Sequence, residues 1–354
     1  MNADLLFHIL LALAVVAISG RLVGRLVAAI GQPAVIGEVL SGILLGPSLL
    51  GLVAPGAEAF LFPAAVRPAL GTVAQVGVVV YMFLVGLEFD TGLLKQRAAP
   101  LIVTSQASII VPFLCGCALA VGLHDRLAPD AVSVAAFSLF MGVAMSITAF
   151  PVLARILTDR GLTRTPLGVA ALTCAAINDV MAWCLLALVV GATRAMPSGG
   201  VPGELVIAFA IGAAVPHHSA FARSLTKWLN GIVTVMLLPA FFAMTGLRTQ
   251  IGLMSSAREW MICLAIVLVA TAGKFGGAAL AGRAMGMSWR FAAQLGALMN
   301  TRGLMELVVL NVGLDAGLIS PTLFTMMVVM ALVTTAMTSP LLALASRGNP
   351  PIAP

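Results

Sequence analysis

The sequence predicts an all-α, polytopic integral membrane protein with about eleven transmembrane helices. Of its 354 residues, 61% are apolar and only 32 are charged, 19 of them Lys or Arg and 13 Asp or Glu, whereas about 25% of residues are charged in an ordinary soluble domain. The net charge of +6 is dispersed singly and forms no basic face, which excludes a soluble enzyme, a nucleic-acid-binding protein and a disordered scaffold.

Apolar runs between polar breaks define the expected spans in order, because a membrane-spanning helix needs roughly 20 apolar residues. The eleven predicted segments are 5–29, 33–51, 69–90, 98–122, 132–158, 164–192, 203–216, 227–247, 259–282, 289–313 and 318–345. Their uniformly apolar character argues against an outer-membrane barrel, because the strands of such a barrel alternate apolar and polar residues over a length of about ten residues. The segment at 203–216 is short for a span.

The distribution of Lys and Arg between the spans predicts the orientation. With the N-terminus outside, eleven basic residues fall on one side of the membrane and five on the other. Since cytoplasmic loops carry the excess of Lys and Arg, we expect the C-terminus, which ends at Pro354, to be cytoplasmic. We therefore expect a multi-pass protein of the bacterial inner membrane without a soluble regulatory domain.

Three basic residues cannot be placed in a loop between the predicted spans: Arg155, Lys274 and Arg302. The acids Asp179 and Glu306 also lie at depth within spans, and Glu38 is a further candidate. Charge at membrane depth costs roughly 2.5–3.5 kcal/mol on insertion scales, so such residues normally face a partner or a water-filled cavity. Asp179 and Lys274 each lie about fifteen residues into their segments, which places both near the bilayer midplane. The first is a titratable acid and the second is a candidate counter-charge.

Two predicted spans are interrupted halfway. Ser146–Pro151 breaks the fifth segment and Asn300–Gly303 breaks the tenth. Pro151 removes a backbone donor and disfavours helix before it, and unwound backbone at membrane depth is tolerated only where it is buried or lines a cavity. Both breaks therefore mark an interior site.

The two breaks hold equivalent places in the predicted topology. Segments four to six and segments nine to eleven cross the membrane in opposite directions, and in each triple the middle helix is broken, which is typical of an inverted-repeat transporter. We therefore expect an ion-transport core at 98–194 and 259–345, and a scaffold and dimer region at 1–97 and 203–258.

A set of motifs resembles the monovalent cation:proton antiporter-2 family, which includes the Kef-type and germination-type sodium/proton antiporters and the plant cation/proton exchangers. The motifs are Gln32–Glu38 with Leu45–Ser48, Phe83–Glu88, Ser146–Pro151 with Ala154 and Arg155, Ala176–Trp183, Leu238–Phe242 with Gly246 and Leu247, Gly273–Gly276, and Asn300–Gly303 with Glu306 and Leu307. The resemblance covers most of the chain. It implies a sodium/proton antiporter-like fold with two crossing discontinuous helices, and a homodimer formed through the scaffold.

The resemblance implies that Asp179 binds a cation and a proton alternately. The residue types agree, because a buried carboxylate can hold either one proton or one dehydrated monovalent cation. Asn178, Thr148 and Ser146 offer neutral oxygens that suit Na⁺ or K⁺, so the expected metal site is Asp179, Asn178 and Thr148. No cofactor is implied beyond the transported ions.

The remaining charged residues are expected to support this site. Lys274 is a candidate counter-ion to Asp179, as the resemblance implies. Arg155, Arg302 and Glu306 are expected to neutralise the half-helix ends and tie the crossing together, with Pro151 and Gly303 at the helix breaks. If Asp179 is the sole exchanging group, one cation replaces one proton and exchange is electroneutral; Asn178, in place of a second acid, favours this.

Other interpretations remain open. The Asn178–Asp179 pair could hydrogen-bond within a helix bundle, and Ser146 and Thr148 could satisfy a neighbouring turn. A cation channel would need a carbonyl filter, and no Thr-Val-Gly-Tyr-Gly-like segment is present. The family usually carries about two additional spans between the Asn178–Asp179 helix and the Leu238–Pro239 helix, so a shortened, inactive paralogue with a structural or regulatory role is a further alternative.

Overall fold

The structure is a computed structural model, and it describes residues 3–88, 99–193, 201–215 and 219–346. Within these ranges the secondary structure is entirely helical. The helices are α1 (Ala3–Ala29), α2 (Ala34–Leu45), α3 (Leu50–Val53), α4 (Pro55–Leu61), α5 (Val66–Glu88), α6 (Ala99–Leu127), α7 (Val134–Ser146), α8 (Phe150–Asp159), α9 (Pro166–Thr193), α10 (Val201–Ala214), α11 (Ala220–Ile232), α12 (Leu238–Arg248), α13 (Ala257–Ala284), α14 (Trp289–Met299), α15 (Leu304–Asp315) and α16 (Pro321–Ser346).

Nine helical stretches in the described part of the chain are long and apolar enough to cross a membrane. They correspond to nine of the eleven predicted segments. The seventh segment is the 14-residue helix α10, shorter than the roughly 20 residues of a span. The tenth is divided into α14 and α15, of 11 and 12 residues, because the helix breaks at its middle. The prediction of an all-helical, multi-pass membrane protein is confirmed.

The chain divides into two compact units. Unit 1 comprises Met1–Asp90 and Ser198–Leu253, and unit 2 comprises Thr91–Pro197 and Met254–Pro354. These boundaries lie close to the predicted division into scaffold and core. The functional assignment of the two units stays a prediction.

Unit 1 is built on helices that approach each other closely at glycines. Helix α2 packs on α1 and on α12, and α5 packs on α10 and α12. A methyl group at Gly246 of α12 would lie 2.4 Å from the carbonyl carbon of Gly42 in α2, so the two backbones are in direct contact. Small residues permit this packing between membrane helices.

A π-helical turn, Val233–Leu237, joins α11 to α12. It directly precedes Pro239, which lies in the first turn of α12. Because proline has no N–H and its ring collides with the carbonyl four residues earlier, the wider turn accommodates Pro239 without ending the helix. The long stretch Ser224–Leu253 therefore remains a single candidate span.

Substitution at Gly246 tests the close packing of α2 and α12. We expect Gly246→Ala to destabilise the protein by about 1–3 kcal/mol, because the added methyl group meets backbone atoms that cannot move aside independently. Unfolding in mixed micelles, followed by circular dichroism, measures the effect. Gly122 of α6 is the matched control, since a methyl group there meets nothing within 4 Å; equal stability of the two variants would contradict the packing argument.

Unit 2 contains both broken helices. Helix α6 packs on α7, α9 and α13, while α14 packs on α9, α13 and α16. A cluster of buried apolar residues fills the space between α8, α9, α13 and α14, including Leu153, Leu157, Ala171, Leu295 and Leu298. This cluster holds the half-helices α8 and α14 in place next to their breaks.

Candidate functional site

The first break separates α7 from α8 at residues 147–149. Ile147 and Ala149 adopt extended backbone conformations (φ −73°, ψ 140° and φ −86°, ψ 94°). Pro151 lies in the first turn of α8, where its missing N–H leaves no donor for a continuous helix. Thr148, at the middle of the break, is fully buried, as the sequence predicts for unwound backbone inside a membrane protein.

The second break, at residues 300–303, separates α14 from α15 and contacts the first break directly. The backbone N–H of Ala149 donates to the carbonyl of Thr301 at 3.1 Å. A methyl group on Gly303 would lie 2.7 Å from Val152 Cγ2, so glycine permits the close approach. The two discontinuous helices therefore meet at their unwound centres.

Helix α16 supplies hydroxyl groups to the second break. The backbone N–H of Arg302 donates to Thr335 Oγ1 at 3.0 Å, and Thr335 Oγ1 donates to the Arg302 carbonyl at 2.7 Å. Thr338 Oγ1 lies 3.3 Å from Thr301 Oγ1. These groups replace hydrogen bonds that the break removes from the helix. The local sequence does not distinguish these threonines from the other hydroxyl residues of α16.

Two buried cations cap the C-terminal end of α7. Lys274 Nζ donates to the carbonyl of Ser146, and Arg302 donates to the carbonyls of Ala144 at 3.2 Å and Met145 at 2.6 Å. Both basic side chains are fully buried. Because the last carbonyls of a helix lack partners and carry partial negative charge, Lys274 and Arg302 neutralise this end of the half-helix.

Glu306 pairs with Arg302 one turn into α15. Arg302 Nη1 and Glu306 Oε2 are 3.2 Å apart, and both side chains are fully buried. The attraction between the two side chains is chiefly coulombic. Glu306 therefore compensates the charge of the residue that caps α7.

Asp179 lies on α9 and is only 3% exposed. No side chain in the described residues donates a hydrogen bond to its carboxylate. The backbone N–H of Phe150, at the start of α8, points at this carboxylate, and the ammonium of Lys274 attracts it. Asp179 thus places its carboxylate at the first break, beside the positive end of the α8 half-helix.

Asn178 joins α9 to α6 and to the first break. Its amide group is 2.8 Å from the hydroxyls of both Ser105 and Ser108 and 3.1 Å from that of Thr148. The amide atom nearest Ser105 is also 3.2 Å from the carbonyl of Cys174, which can only accept. This atom is therefore the nitrogen, and the amide oxygen accepts from Ser108 and Thr148.

Four further predicted site residues are placed as follows. Ser146 is buried, but its hydroxyl donates to the Val143 carbonyl at 2.8 Å and its own carbonyl accepts from Lys274, so both groups are engaged. Pro151 and Gly303 lie at the two breaks. The predicted role of Arg155 at the crossing is wrong: its side chain is 63% exposed and lies 3.6 Å from Asp159, one turn from the end of α8.

The site combines the carboxylate of Asp179, the neutral oxygens of the first break and two buried cations. No group of three or more His, Cys, Asp or Glu side chains that could hold a metal ion occurs in the described part of the chain. A single carboxylate with hydroxyl and carbonyl oxygens is typical of weak binding to a hard cation. It also provides one position at which a proton can replace that cation.

The chain is similar to known membrane transport proteins. The family described as "Sodium/hydrogen exchanger, transmembrane" matches residues 11–208 and 198–344. The Na(+)/H(+) antiporter NhaS4 of Synechocystis is 39% identical over 400 aligned positions, covering 96% of this chain and 98% of that protein.

Two eukaryotic relatives are longer. The Cation/H(+) antiporter 17 of Arabidopsis thaliana is 34% identical over 94% of this chain, and the K(+)/H(+) antiporter 1 of Saccharomyces cerevisiae is 31% identical over 88% of it. This chain spans 48% of the first and 43% of the second.

A solved structure shows the same fold. The sodium proton antiporter MjNhaP1 of Methanocaldococcus jannaschii superimposes with a TM-score of 0.64, covering 98% of this chain and all of that one, at 12% sequence identity. The match to the family description and the identity to the Synechocystis antiporter over nearly the full length of both chains mean that this chain belongs to the sodium/hydrogen exchanger family and is a transmembrane cation/proton antiporter.

Proposed function

We propose that this antiporter exchanges one monovalent cation, Na⁺ or K⁺, for one proton at Asp179. The observation that carries the proposal is the buried Asp179 carboxylate, to which no side chain in the described residues donates a hydrogen bond. A buried carboxylate with so few hydrogen bonds is stabilised by a proton or a cation that compensates its charge. The two ligands therefore compete for one position.

The neutral oxygens at the first break, which Asp179 borders, favour an alkali cation. Thr148 offers a buried hydroxyl oxygen there, and Ile147 and Ala149 on either side of it have non-helical backbone. Oxygen ligands of this kind suit hard cations. The names of the relatives include both Na(+) and K(+) antiporters, so we propose these two ions as the substrate class.

Electroneutral exchange follows from the charges around Asp179. Lys274 donates to the carbonyl of Ser146 and Arg302 pairs with Glu306, so each of these charged groups already has a structural partner. Asn178 is neutral. One proton on Asp179 and one cation bound to Asp179 then give the site the same net charge, and membrane voltage, worth about 2.3 kcal/mol per charge per 100 mV, does not drive the cycle.

Proteoliposomes test this proposal directly. We expect Na⁺ or K⁺ gradients to produce proton flux that is unchanged when the membrane potential is clamped at zero. In the acidic range, the cation concentration at half-maximal flux should rise about tenfold for each unit by which pH falls, because a single proton competes. A rise of about a hundredfold per unit, or sensitivity to clamping, would show that a second proton takes part.

The roles of the two units and the orientation belong to the same proposal. All candidate site residues lie in unit 2, which we assign as the transport core, and we assign unit 1 as the scaffold and the surface of a homodimer. The excess of Lys and Arg in alternate loops supports an external N-terminus and a cytoplasmic C-terminus in a bacterial inner membrane.

A shortened, inactive paralogue is the second candidate, and the alignment supports it. Since 96% of 354 residues is about 340, roughly 60 of the 400 positions aligned with the Synechocystis relative have no counterpart in this chain. That length corresponds to about two spans with their loops. The two matches to the family description overlap at residues 198–208, near the predicted deletion. Absence of cation-dependent proton flux from a folded, reconstituted chain would favour this candidate over active exchange.

A further inference from the structure

Thr335 of α16 makes an unusual pair of hydrogen bonds with one residue. Its hydroxyl accepts from the backbone N–H of Arg302 at 3.0 Å and donates to the carbonyl of Arg302 at 2.7 Å. Arg302 lies in the second break, where no helix satisfies these two groups. Leaving a buried backbone group unpaired is costly, so Thr335 holds the Arg302 backbone in place.

The adjacent threonine provides a contrast within the same helix. Thr334 is also fully buried, but its hydroxyl donates to the carbonyls of Met330 at 2.8 Å and Ala331 at 3.2 Å, both in α16 itself. The two residues have the same side chain and the same depth. Only Thr335 uses its hydroxyl to hold residue 302.

The side chain of Arg302 carries this constraint to the first break. Its guanidinium donates to the carbonyls of Ala144 and Met145 at the end of α7, and Thr148 follows three residues after Met145. The backbone held by Thr335 and the guanidinium that caps α7 belong to one residue. A shift of the Arg302 backbone therefore removes positive charge from the helix end that borders the candidate cation site.

We propose that Thr335 is a positioning residue for exchange: it fixes Arg302 so that the guanidinium neutralises the C-terminal end of α7, and it thereby limits how tightly the transported cation is held. The inference rests on the proposed function, because it places the cation at Asp179 beside the first break. Without the guanidinium, the partial negative charge of the α7 carbonyls attracts the cation more strongly and slows its release.

The test is a kinetic comparison in proteoliposomes. We expect Thr335→Val to lower the cation concentration at half-maximal flux by about threefold to tenfold, the size of a helix-terminus charge effect in a partly buried setting. The maximal flux should fall by a similar factor, because tighter binding slows release. A merely structural role would reduce the amount of active protein, and so the maximal flux, with no change in the half-saturating concentration.

Two variants control for folding and for loss of a buried hydroxyl. Thr335→Ser keeps the hydroxyl and should restore both kinetic values to within about twofold. Thr334→Val removes an equally buried hydroxyl from the same helix and should leave both values unchanged. The unfolding midpoint of each variant in detergent shows whether the substitution has changed the stability of the folded protein.

Three results would overturn the inference: Thr335→Val with an unchanged half-saturating concentration, Thr335→Val with a raised one, or a Thr334→Val variant with the same kinetic signature. The proposed function is tested by a separate measurement, the pH dependence of the half-saturating cation concentration of the native protein. A slope other than the one expected for a single competing proton would contradict it. If that dependence has the slope expected for one proton and Thr335→Val has no effect on cation saturation, only the role of Thr335 is wrong.

Discussion

Replacing Asp179 with Asn is expected to lower cation-dependent proton flux by at least about a hundredfold. At a separation of about 4 Å and an effective dielectric constant of about 20, attraction between a carboxylate and a monovalent cation is worth about 4 kcal/mol, and the neutral amide loses it. The amide also cannot release a proton in exchange. The measurement is the pH change inside proteoliposomes after addition of Na⁺ or K⁺.

Asp159 provides the matched control for this substitution. It lies at the end of α8 in the same unit, and its side chain is 62% exposed and close to Arg155. We expect Asp159→Asn to retain native flux, because an exposed ion pair is worth only about 0–1 kcal/mol and plays no part in the candidate site. Flux in Asp179→Asn above about a tenth of the native value would contradict the assignment of Asp179.

Replacing Arg302 with Met is expected to lower the free energy of unfolding by about 3–5 kcal/mol, the usual cost of removing one partner of a buried ion pair. Glu306, fully buried, would be left without its counter-charge. The carbonyls of Ala144 and Met145 would also lose the guanidinium that caps them. Titration of the purified protein with sodium dodecyl sulfate in mixed micelles measures the change.

A second substitution separates these two causes. The double variant Arg302→Met with Glu306→Leu contains no unpaired acid at this site. We therefore expect it to recover about half of the free energy of unfolding that Arg302→Met loses. The other half is the cost of leaving the α7 carbonyls without the guanidinium. Arg155→Met, at an exposed position, should cost less than about 1 kcal/mol. A double variant no more stable than Arg302→Met would mean that the buried pair contributes little.

The charged and helix-breaking residues were the part of this site that the sequence could predict. Asp179, Lys274, Arg302 and Glu306 stand out because charge is rare in apolar spans, and the structure buries all four. Pro151 indicates the first break because proline cannot continue the helix hydrogen bonds. Arg155 was misplaced because it lies only about one turn from the end of its half-helix, where a long side chain reaches the surface.

The hydroxyl groups could not be predicted in the same way. Thr104 and Ser105 are neighbours on α6 and both are buried, yet Thr104 bonds to its own helix at Pro100 whereas Ser105 contacts Asn178 on α9. Likewise, Thr334 bonds within its own helix, whereas Thr335 bonds to Arg302 in the second break. Successive residues point about 100° apart around a helix, so the partner of each hydroxyl depends on packing between helices, which the local sequence does not contain.

The hydrogen bonds between the two breaks also constrain how the chain can be assembled in the membrane. Ala149 bonds to Thr301, and Thr148 lies 3.3 Å from the carbonyl of Met299, 151 residues further along the chain. During synthesis the unwound groups of the first break therefore have no partner on α14 until the chain has been made as far as that helix. Since unpaired backbone is costly in lipid, the stretch Val134–Asp159 has to enter the bilayer with its break shielded by water or by other helices. The two breaks can pair only after α14 has followed it into the membrane.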